Sequence, residues 1–296
     1  MEATSPMKDC YLVLCHNRPW QVNVLSAYLA EQGHDVFIHV DASSPAAADI
    51  RTSDLVHLVE NRVAVKWGSF SMIAAEMELI RAAMASGKEY RYVHLISGQC
   101  LPAMGRDKME ACLNAAYAQK QQMITCSEEP ITKGWGRKGR LYRIAVWYPQ
   151  FMVDRNSKWH YVFRKWMKLW RFTGIRRFSW KKYAPFHYGS QWWSLTGDCV
   201  RNIVKYVDEH PDFYDFFRHT FCSDEMFVQT TIKHFKEAPN ITNNRRFMIW
   251  RRSMSPSDLT EEEWPQVRES GALFARKFAM DPGDTERYLA ALNSDF

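Results

Sequence analysis

The sequence predicts an α/β protein with a Rossmann-like, mostly parallel sheet flanked by helices. Short apolar runs at 11–15 (YLVLC) and 35–40 (DVFIHV) have the length and composition of buried strands. An amphipathic stretch between them completes a strand–helix–strand unit, the building block of a doubly wound sheet with right-handed crossovers. A chain of 296 residues with 46% hydrophobic content can bury the large core that such a sheet requires.

The individual elements follow from periodicity and from residues that begin or end helices. Pro19 suits the first turn of the first helix, and Gly33 ends it. Further predicted strands lie at 57–59, 62–65, 92–96, 122–126 and 191–195, and further helices at 70–84, 108–118, 159–171, 198–209 and 223–235. Ligands bind at the carboxyl ends of strands in such sheets, which predicts that the loop at His16 and the carboxylate of Asp41 lie near a ligand.

Composition argues against several classes of protein. No apolar run approaches the ~20 residues needed to cross a bilayer, and the first residues lack the pattern of a signal peptide. The seven cysteines are scattered and without C-x-x-C spacing, which favours reduced thiols over disulfides or a structural zinc site. No G-x-G-x-x-G follows the first strand, and no Walker A motif occurs. We therefore expect a soluble, cytoplasmic protein that is neither a dinucleotide enzyme nor a P-loop NTPase.

Charge is distributed unevenly along the chain. The segment 133–183 contains fifteen basic residues and one acid, Asp154, whereas the whole chain has a net charge of +6. Between residues 159 and 170, aromatic residues recur at spacings of three or four, which is typical of an amphipathic cationic helix. Such a helix suits an anionic membrane surface, nucleic acid or an anionic acceptor. The plainer alternative is a surface helix whose aromatic rings pack on the domain.

Two neighbouring acids, Asp224 and Glu225, are predicted in the first turn of the helix that starts at Ser223, a good N-cap residue. The helix dipole favours negative charge there, so a carboxylate at this place can accept a proton from a hydroxyl. The alternative is that both acids only complement the dipole. A strand with Trp192 and Trp193 on opposite faces precedes them, and flat aromatic rings suit the apolar faces of sugars.

Five short motifs, in order, resemble the core-2/I-branching family of glycosyltransferases, which includes the peptide O-xylosyltransferases. They are HVD at 39–41, WG at 67–68, SGxxxP at 97–102, GSxWW at 189–193 followed by DE at 224–225, and FARKF at 274–278. The resemblance implies a soluble, bacterial-type member of the family with one domain, 1–296, and a GT-A-like glycosyltransferase fold. Its parts would be a nucleotide-binding half (8–130), a basic aromatic insertion on the acceptor side (131–185), and a catalytic half with a diphosphate-binding tail (186–280).

The resemblance also implies roles for individual residues, with Glu225 as the catalytic base. The residues implied to bind the nucleotide are Cys15, His16, Asp41 and Trp67. Those implied to hold the diphosphate are Arg276 and Lys277, with Arg251 and Arg252 as weaker candidates. Those implied to contact the acceptor or the transferred sugar are Ser190, Gln191, Trp192, Trp193 and Asp224.

Each of these roles has a plainer structural alternative in the sequence alone. Asp41 also suits a turn, Trp67 a core or lid position, and the pair Arg276–Lys277 a solvated surface. Cys100 departs from the family pattern, because the SGxxxP turn usually carries an aspartate at this position. The role of that carboxylate in the family is therefore in doubt for this chain.

The implied reaction is inverting and metal-independent, because metal-using glycosyltransferases of the nucleotide-sugar type normally carry D-x-D and this sequence has none. Arg and Lys would then neutralise the leaving diphosphate. The donor would be a UDP-sugar, with N-acetylglucosamine favoured and xylose as the alternative. The acceptor would be a hydroxyl of a glycan, lipid-linked sugar or polysaccharide, and a positive surface suits an anionic one.

We expect no cofactor and no nucleic-acid partner, and the protein could contact the inner membrane face peripherally. Two other classes of function stay open at this point. One is a nucleic-acid-binding protein that uses the segment 133–183, and the other is a sugar-binding module without turnover.

Overall fold

The computed structural model describes residues 7–131, 140–154, 158–173, 178–251 and 255–294. Its strands are β1 (Lys8–Cys15), β2 (Asp35–Val40), β3 (Val56–Leu58), β4 (Tyr90–Ser97), β5 (Leu101–Pro102), β6 (Gln121–Cys126), β7 (Gly189–Thr196), β8 (Asn240–Thr242), β9 (Arg246–Met248) and β10 (Phe274–Arg276). Its α-helices are α1 (Pro19–Ala30), α2 (Ser71–Ala85), α3 (Arg106–Ala118), α4 (Tyr142–Ala145), α5 (Gln150–Val153), α6 (His160–Thr173), α7 (Gly197–Glu209), α8 (Pro211–Phe216), α9 (Phe227–Lys233), α10 (Trp264–Glu269) and α11 (Pro282–Asn293).

The central sheet has seven strands in the order β3-β2-β1-β4-β7-β6-β8. Strands β3, β2, β1 and β4 are parallel, whereas β7 is antiparallel to both of its neighbours. The carboxyl ends of β1 and β2 therefore meet at one edge, where His16 and Asp41 follow them. A smaller sheet, β5-β10-β9, pairs the tail strand β10 with the turn that follows β4. This pairing brings the tail motif to the same region as the end of β4.

Helices cover both faces of the central sheet, and the alternation of side chains along β1 shows how. Leu12 packs in one buried cluster with residues of α2 and α7, whereas Tyr11 and Val13 pack in the other with residues of α1 and α3. Successive side chains of a strand point to opposite faces, so a strand buried on both faces is apolar throughout. The predicted α/β class, with a mostly parallel sheet flanked by helices, is confirmed.

The strand predicted at 62–65 is wrong. These residues join no ladder, because their backbone groups bond elsewhere. Val63 N–H donates to Nε2 of His39 at 2.9 Å, and its carbonyl accepts from Ala42 N–H at 3.0 Å. A β-branched run is thus satisfied by a histidine side chain and a loop instead of by a neighbouring strand.

All seven cysteines are free thiols, as their spacing predicted. Within the ranges that the structure describes, no helix combines the length and the apolar character needed to cross a bilayer.

A buried acid, Glu76, lies in the core beneath β7. Its Oε1 accepts a hydrogen bond from Nε1 of Trp193 at 2.8 Å, and its Oε2 has no partner among the described residues. Burial, opposed by the bond from Trp193, raises the pKa of Glu76 to about 8. The folded protein therefore holds this carboxyl in its neutral form at pH 7, whereas the unfolded chain ionises it.

This difference makes stability depend on pH. The pKa of Glu76 is raised on folding, so stability falls as the pH rises from about 4.5 towards 8, by at most roughly 5 kcal/mol at 1.36 kcal/mol per pKa unit. Glu76→Gln removes the titration and keeps an oxygen that accepts from Trp193. We expect the advantage of the variant over the wild type to grow between pH 5 and pH 8. Urea unfolding across that range checks it, and parallel curves for the two proteins would contradict it.

Candidate active site

Glu225 lies in a single turn of 3₁₀ helix, Ser223–Glu225, and not in the first turn of an α-helix. The predicted helix start is therefore wrong. Cys222 has a φ of 47°, so the chain turns there, and Met226, with a φ of −134°, separates the 3₁₀ turn from α9. The hydroxyl of Ser223 has no hydrogen-bond partner among the described residues and does not act as the cap. The helix dipole consequently does not determine the environment of Glu225.

Two arginines hold the carboxylate of Glu225 instead. Its Oε2 accepts from Nη1 of Arg143 at 2.6 Å and from Nη1 of Arg140 at 3.2 Å. No hydrogen bond between described residues reaches Oε1, and the side chain is 36% exposed. One carboxylate oxygen is thus fixed by positive charge, and the other is available to a ligand.

The two arginines have different surroundings. The side chain of Arg143 is 15% exposed and also donates to the carbonyl of Cys222 at 3.3 Å. Burial works against its charge, but the ion pair with Glu225 outweighs this effect and raises its pKa. The side chain of Arg140 is 32% exposed, and its guanidinium lies 4.1 Å from the ring centroid of Tyr188. Arg143 is therefore built into the protein, whereas Arg140 lies at its surface.

Asp224 is buried beside Glu225, away from solvent. Burial, and then the negative charge of Glu225, raise the pKa of Asp224 to about 7. Its Oδ1 has no hydrogen-bond partner among the described residues. Of the two acids, Asp224 is therefore enclosed by the protein, and Glu225 is the one that a ligand can reach.

The two tryptophans of β7 point to opposite faces, as predicted, and their environments differ. Trp193 is fully buried in the core and donates to Glu76, so its predicted contact with acceptor or sugar is corrected: its ring has no surface to offer. Trp192 is half-buried, and the guanidinium of Arg276 lies 4.2 Å from its ring centroid. Of the pair, Trp192 alone faces the charged side of the strand.

Ser190 and Gln191 are tied into the same strand. The Ser190 carbonyl accepts from Nε2 of Gln229 at 2.7 Å, and the Ser190 hydroxyl accepts from Trp192 N–H at 3.3 Å. The side chain of Gln191 is buried, and its Nε2 has no partner in the described part of the chain. Both residues therefore lie in the strand that carries Trp192, with Ser190 the more exposed of the two.

Buried positive charge lies at the tail motif. Arg276 is buried, which lowers its pKa, and its Nε has no partner among the described residues. Arg246, on the neighbouring strand β9, is also desolvated, which lowers its pKa to about 10. Arg246 donates to the carbonyls of Trp193 and Asn244, each at 2.7 Å. In the described ranges, neither arginine is ion-paired with a carboxylate.

Lys277 extends this cluster towards the carboxyl ends of β1 and β2. Its pKa is lowered by burial and then by the charge of Arg276. The pKa of His16 is lowered by partial desolvation, raised by Asp41, and lowered again by Lys277. Nε2 of Gln21, in the helix that follows His16, donates to the carbonyls of Gly98 and Phe278 at 3.0 and 3.3 Å. The structure thus brings the tail motif and the ends of the first strands together.

Arg251 does not add to this cluster. The guanidinium of Arg251 is ion-paired with Glu263 at the surface and donates to the carbonyl of Asp258 at 3.2 Å. Arg252 lies outside the described residues. Arg251 would have to leave Glu263 before it could reach a ligand.

Three predicted nucleotide-binding residues have structural partners of their own. The thiol of Cys15 is buried and contacts the carbonyl of Asn17 at 3.3 Å. Oδ1 of Asp41 accepts from the N–H and the hydroxyl of Ser43 at 2.8 and 2.7 Å, which is the turn contact that the sequence left open. Trp67 is 43% exposed and packs edge-on against Phe221, in the loop that leads to Glu225.

Strand β7 links the two charged groups of the site. Arg276 stacks on Trp192, and Arg140, a partner of Glu225, stacks on Tyr188 immediately before the strand. Four residues of extended chain span about 13 Å, which is within the reach of a nucleotide sugar. Within the described residues, no group of three His, Cys, Asp or Glu side chains is arranged to hold a metal ion.

The sequence did not identify three residues of this site individually. Arg140 and Arg143 look like the other basic residues of the segment 133–183, and nothing in their spacing points to Glu225. Arg246 follows an apparently polar loop, and only its pairing next to β10 shows that its guanidinium is desolvated. No local signal in the sequence would have identified them.

Three comparisons with known proteins were made, and the match to a family model is the one that supports the resemblance seen in the sequence. A search of curated proteins found no match. Among 48 matching chains of solved structures, one is a galactosyltransferase in complex with donor and acceptor sugar analogues. It has 11% sequence identity and a TM-score of 0.36, and the match covers 97% of each chain. The sequence model described as Core-2/I-Branching enzyme matches residues 10–271. Because that match spans most of its length, the chain belongs to the core-2/I-branching enzyme family and is a glycosyltransferase.

Proposed function

We propose that the protein is an inverting, metal-independent glycosyltransferase that uses a UDP-sugar, with N-acetylglucosamine favoured and xylose as the alternative. The acceptor would be a hydroxyl of a glycan, a lipid-linked sugar or a polysaccharide. The observation that carries this proposal is a cluster of three desolvated cations, the buried Arg276 with the partly exposed Arg246 and Lys277. A leaving diphosphate needs compensating charge of this kind, and desolvated cations stabilise it more strongly than solvated ones do.

The reaction step follows from the position of Glu225. Its free carboxylate oxygen accepts the proton of the acceptor hydroxyl. The acceptor oxygen forms the new bond to the anomeric carbon, while the bond from that carbon to the diphosphate oxygen breaks on the opposite face. The bonding electron pair leaves with UDP, and the configuration inverts. Such general-base assistance typically contributes about 10²–10⁴-fold.

The remaining site residues would seat the donor and acceptor. His16, Asp41 and Trp67 would contact the nucleotide, and the buried Cys15 would shape that part of the site from within the core. Asp41 keeps a second oxygen for a ligand after its turn contact with Ser43. Trp192 would present its ring to the sugar once the diphosphate draws the guanidinium of Arg276 towards itself. No cofactor is needed in this scheme.

The basic segment supports a role on the acceptor side. Arg140 and Arg143 belong to it and contact Glu225, which favours this role over nucleic-acid binding. Around α6, exposed aromatic side chains such as Trp159 and Tyr161 lie near the exposed lysines Lys165 and Lys168. We infer peripheral contact with an anionic membrane at the inner face from this combination, since aromatic and basic residues together suit lipid headgroups. A cytoplasmic location is consistent with that contact.

The assignment of the base is tested by Glu225→Gln. The amide cannot take a proton, so turnover should fall about 10²–10⁴-fold, whereas the affinity for UDP should change little. Steady-state assays with UDP-sugars and calorimetric titration of UDP measure the two quantities. Glu89→Gln, at an exposed site remote from the cluster, is the matched control. Equal turnover in the wild type and Glu225→Gln would remove the base assignment.

Metal independence is tested by chelation. Fixed cations replace a divalent ion in this scheme, so EDTA should leave the rate of UDP-sugar turnover unchanged. The rate is measured before and after dialysis against the chelator, with and without added manganese or magnesium. A rate that disappears with EDTA and returns with manganese would contradict the proposal.

The cation cluster is tested by Lys277→Gln. Hydrogen bonds to charged groups contribute about 1.5–3 kcal/mol, so the Kd for UDP should rise about 10–100-fold. The Kd for uridine, which lacks the diphosphate, should not change. Lys236→Gln, an exposed lysine elsewhere, is the control. An equal loss of affinity for UDP and uridine would show that Lys277 does not act on the diphosphate.

A further inference from the structure

The single negative charge of the Glu225 carboxylate is in contact with more than one positive charge. Two guanidinium groups, from Arg140 and Arg143, share its Oε2. The neighbouring Asp224 is buried with its pKa raised to about 7, so below that pH it adds no full negative charge. The cluster is therefore net positive on the side that opens to solvent.

Arg140 is held less firmly to Glu225 than Arg143 is and can leave it more easily for another anion. Arg143 is mostly buried, donates to the carbonyl of Cys222 as well, and shares a backbone hydrogen bond with Phe221. Arg140 makes the longer contact, 3.2 Å against 2.6 Å, and its partly exposed guanidinium lies 4.1 Å from the ring centroid of Tyr188. A guanidinium has five N–H donors, and the described structure gives Arg140 one hydrogen-bond acceptor.

We propose that Arg140 binds an anionic group, a carboxylate or a phosphate, on the acceptor, and that this group competes with Glu225 for the arginine. The proposal rests on the proposed role of Glu225 as the base. A planar guanidinium suits the bidentate binding of either anion, and the cation–π contact with Tyr188 stabilises Arg140 at this place. Arg143 keeps Glu225 in place throughout and is a positioning residue.

This exchange would couple acceptor recognition to proton transfer. A nearby cation favours the charged form of a carboxylate and makes it a weaker proton acceptor. When an acidic acceptor draws Arg140 away, Glu225 loses one of its two cations and becomes the better base. A neutral acceptor leaves both cations on Glu225. An acidic acceptor would thus be favoured over a neutral one in two ways, because it would bind more tightly and would also turn over faster.

A matched pair of sugars tests the binding part. Methyl β-glucuronide and methyl β-glucoside differ only in the carboxylate, and glucose 6-phosphate with glucose provides the phosphate arm. Their Kd values are measured by NMR titration on the protein saturated with UDP. We expect the anionic member of at least one pair to bind about tenfold more tightly. Arg140→Gln should abolish this preference and leave the Kd of the neutral sugar and of UDP unchanged.

Two further variants separate the exchange from simple charge attraction. Glu225→Gln removes the competitor for Arg140, so the anionic sugar should bind severalfold more tightly than to the wild type. Arg201→Gln removes an arginine that pairs with Asp198 on the exposed face of α7, and it should change nothing. A preference for carboxylate supports acidic sugars as acceptors, and a preference for phosphate supports phosphorylated ones.

Equal binding of anionic and neutral sugars would overturn the proposal, as would a preference that survives Arg140→Gln. Absence of binding by all four sugars would count against it as well. Weaker binding of the anionic sugar to Glu225→Gln would overturn the competition. The proposed function fails separately, if UDP does not bind or if Glu225→Gln turns over normally. If the protein binds UDP and needs Glu225 but binds anionic and neutral sugars equally, only the proposed role of Arg140 fails.

Discussion

The structure depends on arginine side chains that are removed from water and have no carboxylate partner among the described residues. Burying a cation is costly unless polar or aromatic groups replace its water. Arg246 is surrounded by backbone carbonyls and lies over Phe274, and Arg276 lies over Trp192. A carboxylate could have neutralised both, but the buried residue next to them in this chain is Cys100. The smaller sheet holds these cations in position, and an anionic ligand would complete their environment.

Strand β7 separates this charged region from the dry core. Its alternation directs Trp192 towards Arg276 and Trp193 towards Glu76, so neighbouring residues of identical type have unrelated roles. The indole N–H of Trp193 donates to the carboxyl group of Glu76, which burial keeps neutral. The core therefore tolerates a carboxyl group because it is protonated.

Glu225 shows how an insertion can become part of a site. The 3₁₀ turn leaves its carboxylate without the support of a long helix, and arginines from the basic segment supply the opposite charge. The charge of Glu225 is thus balanced by residues that lie about eighty positions earlier in the chain.

The sequence by itself determined the α/β class, the longer strands and helices, and the family, because apolar periodicity and short ordered motifs are local properties of the chain. The short elements β5, β8, β9, β10, α4, α5, α8 and α10, and the last helix α11, carried no signal that predicted them. It also placed Glu225, Arg276 and Lys277 in plausible roles. Tertiary structure alone decided that Trp193 faces the core, that residues 62–65 bond to His39 and not to a strand, and that Arg140 and Arg143 pair with Glu225. Each of these depends on which distant residues meet, and a basic residue carries no local mark of its future partner. Burial, which sets the charge of Glu76 and Asp224, is likewise a property of the packed molecule and not of the chain.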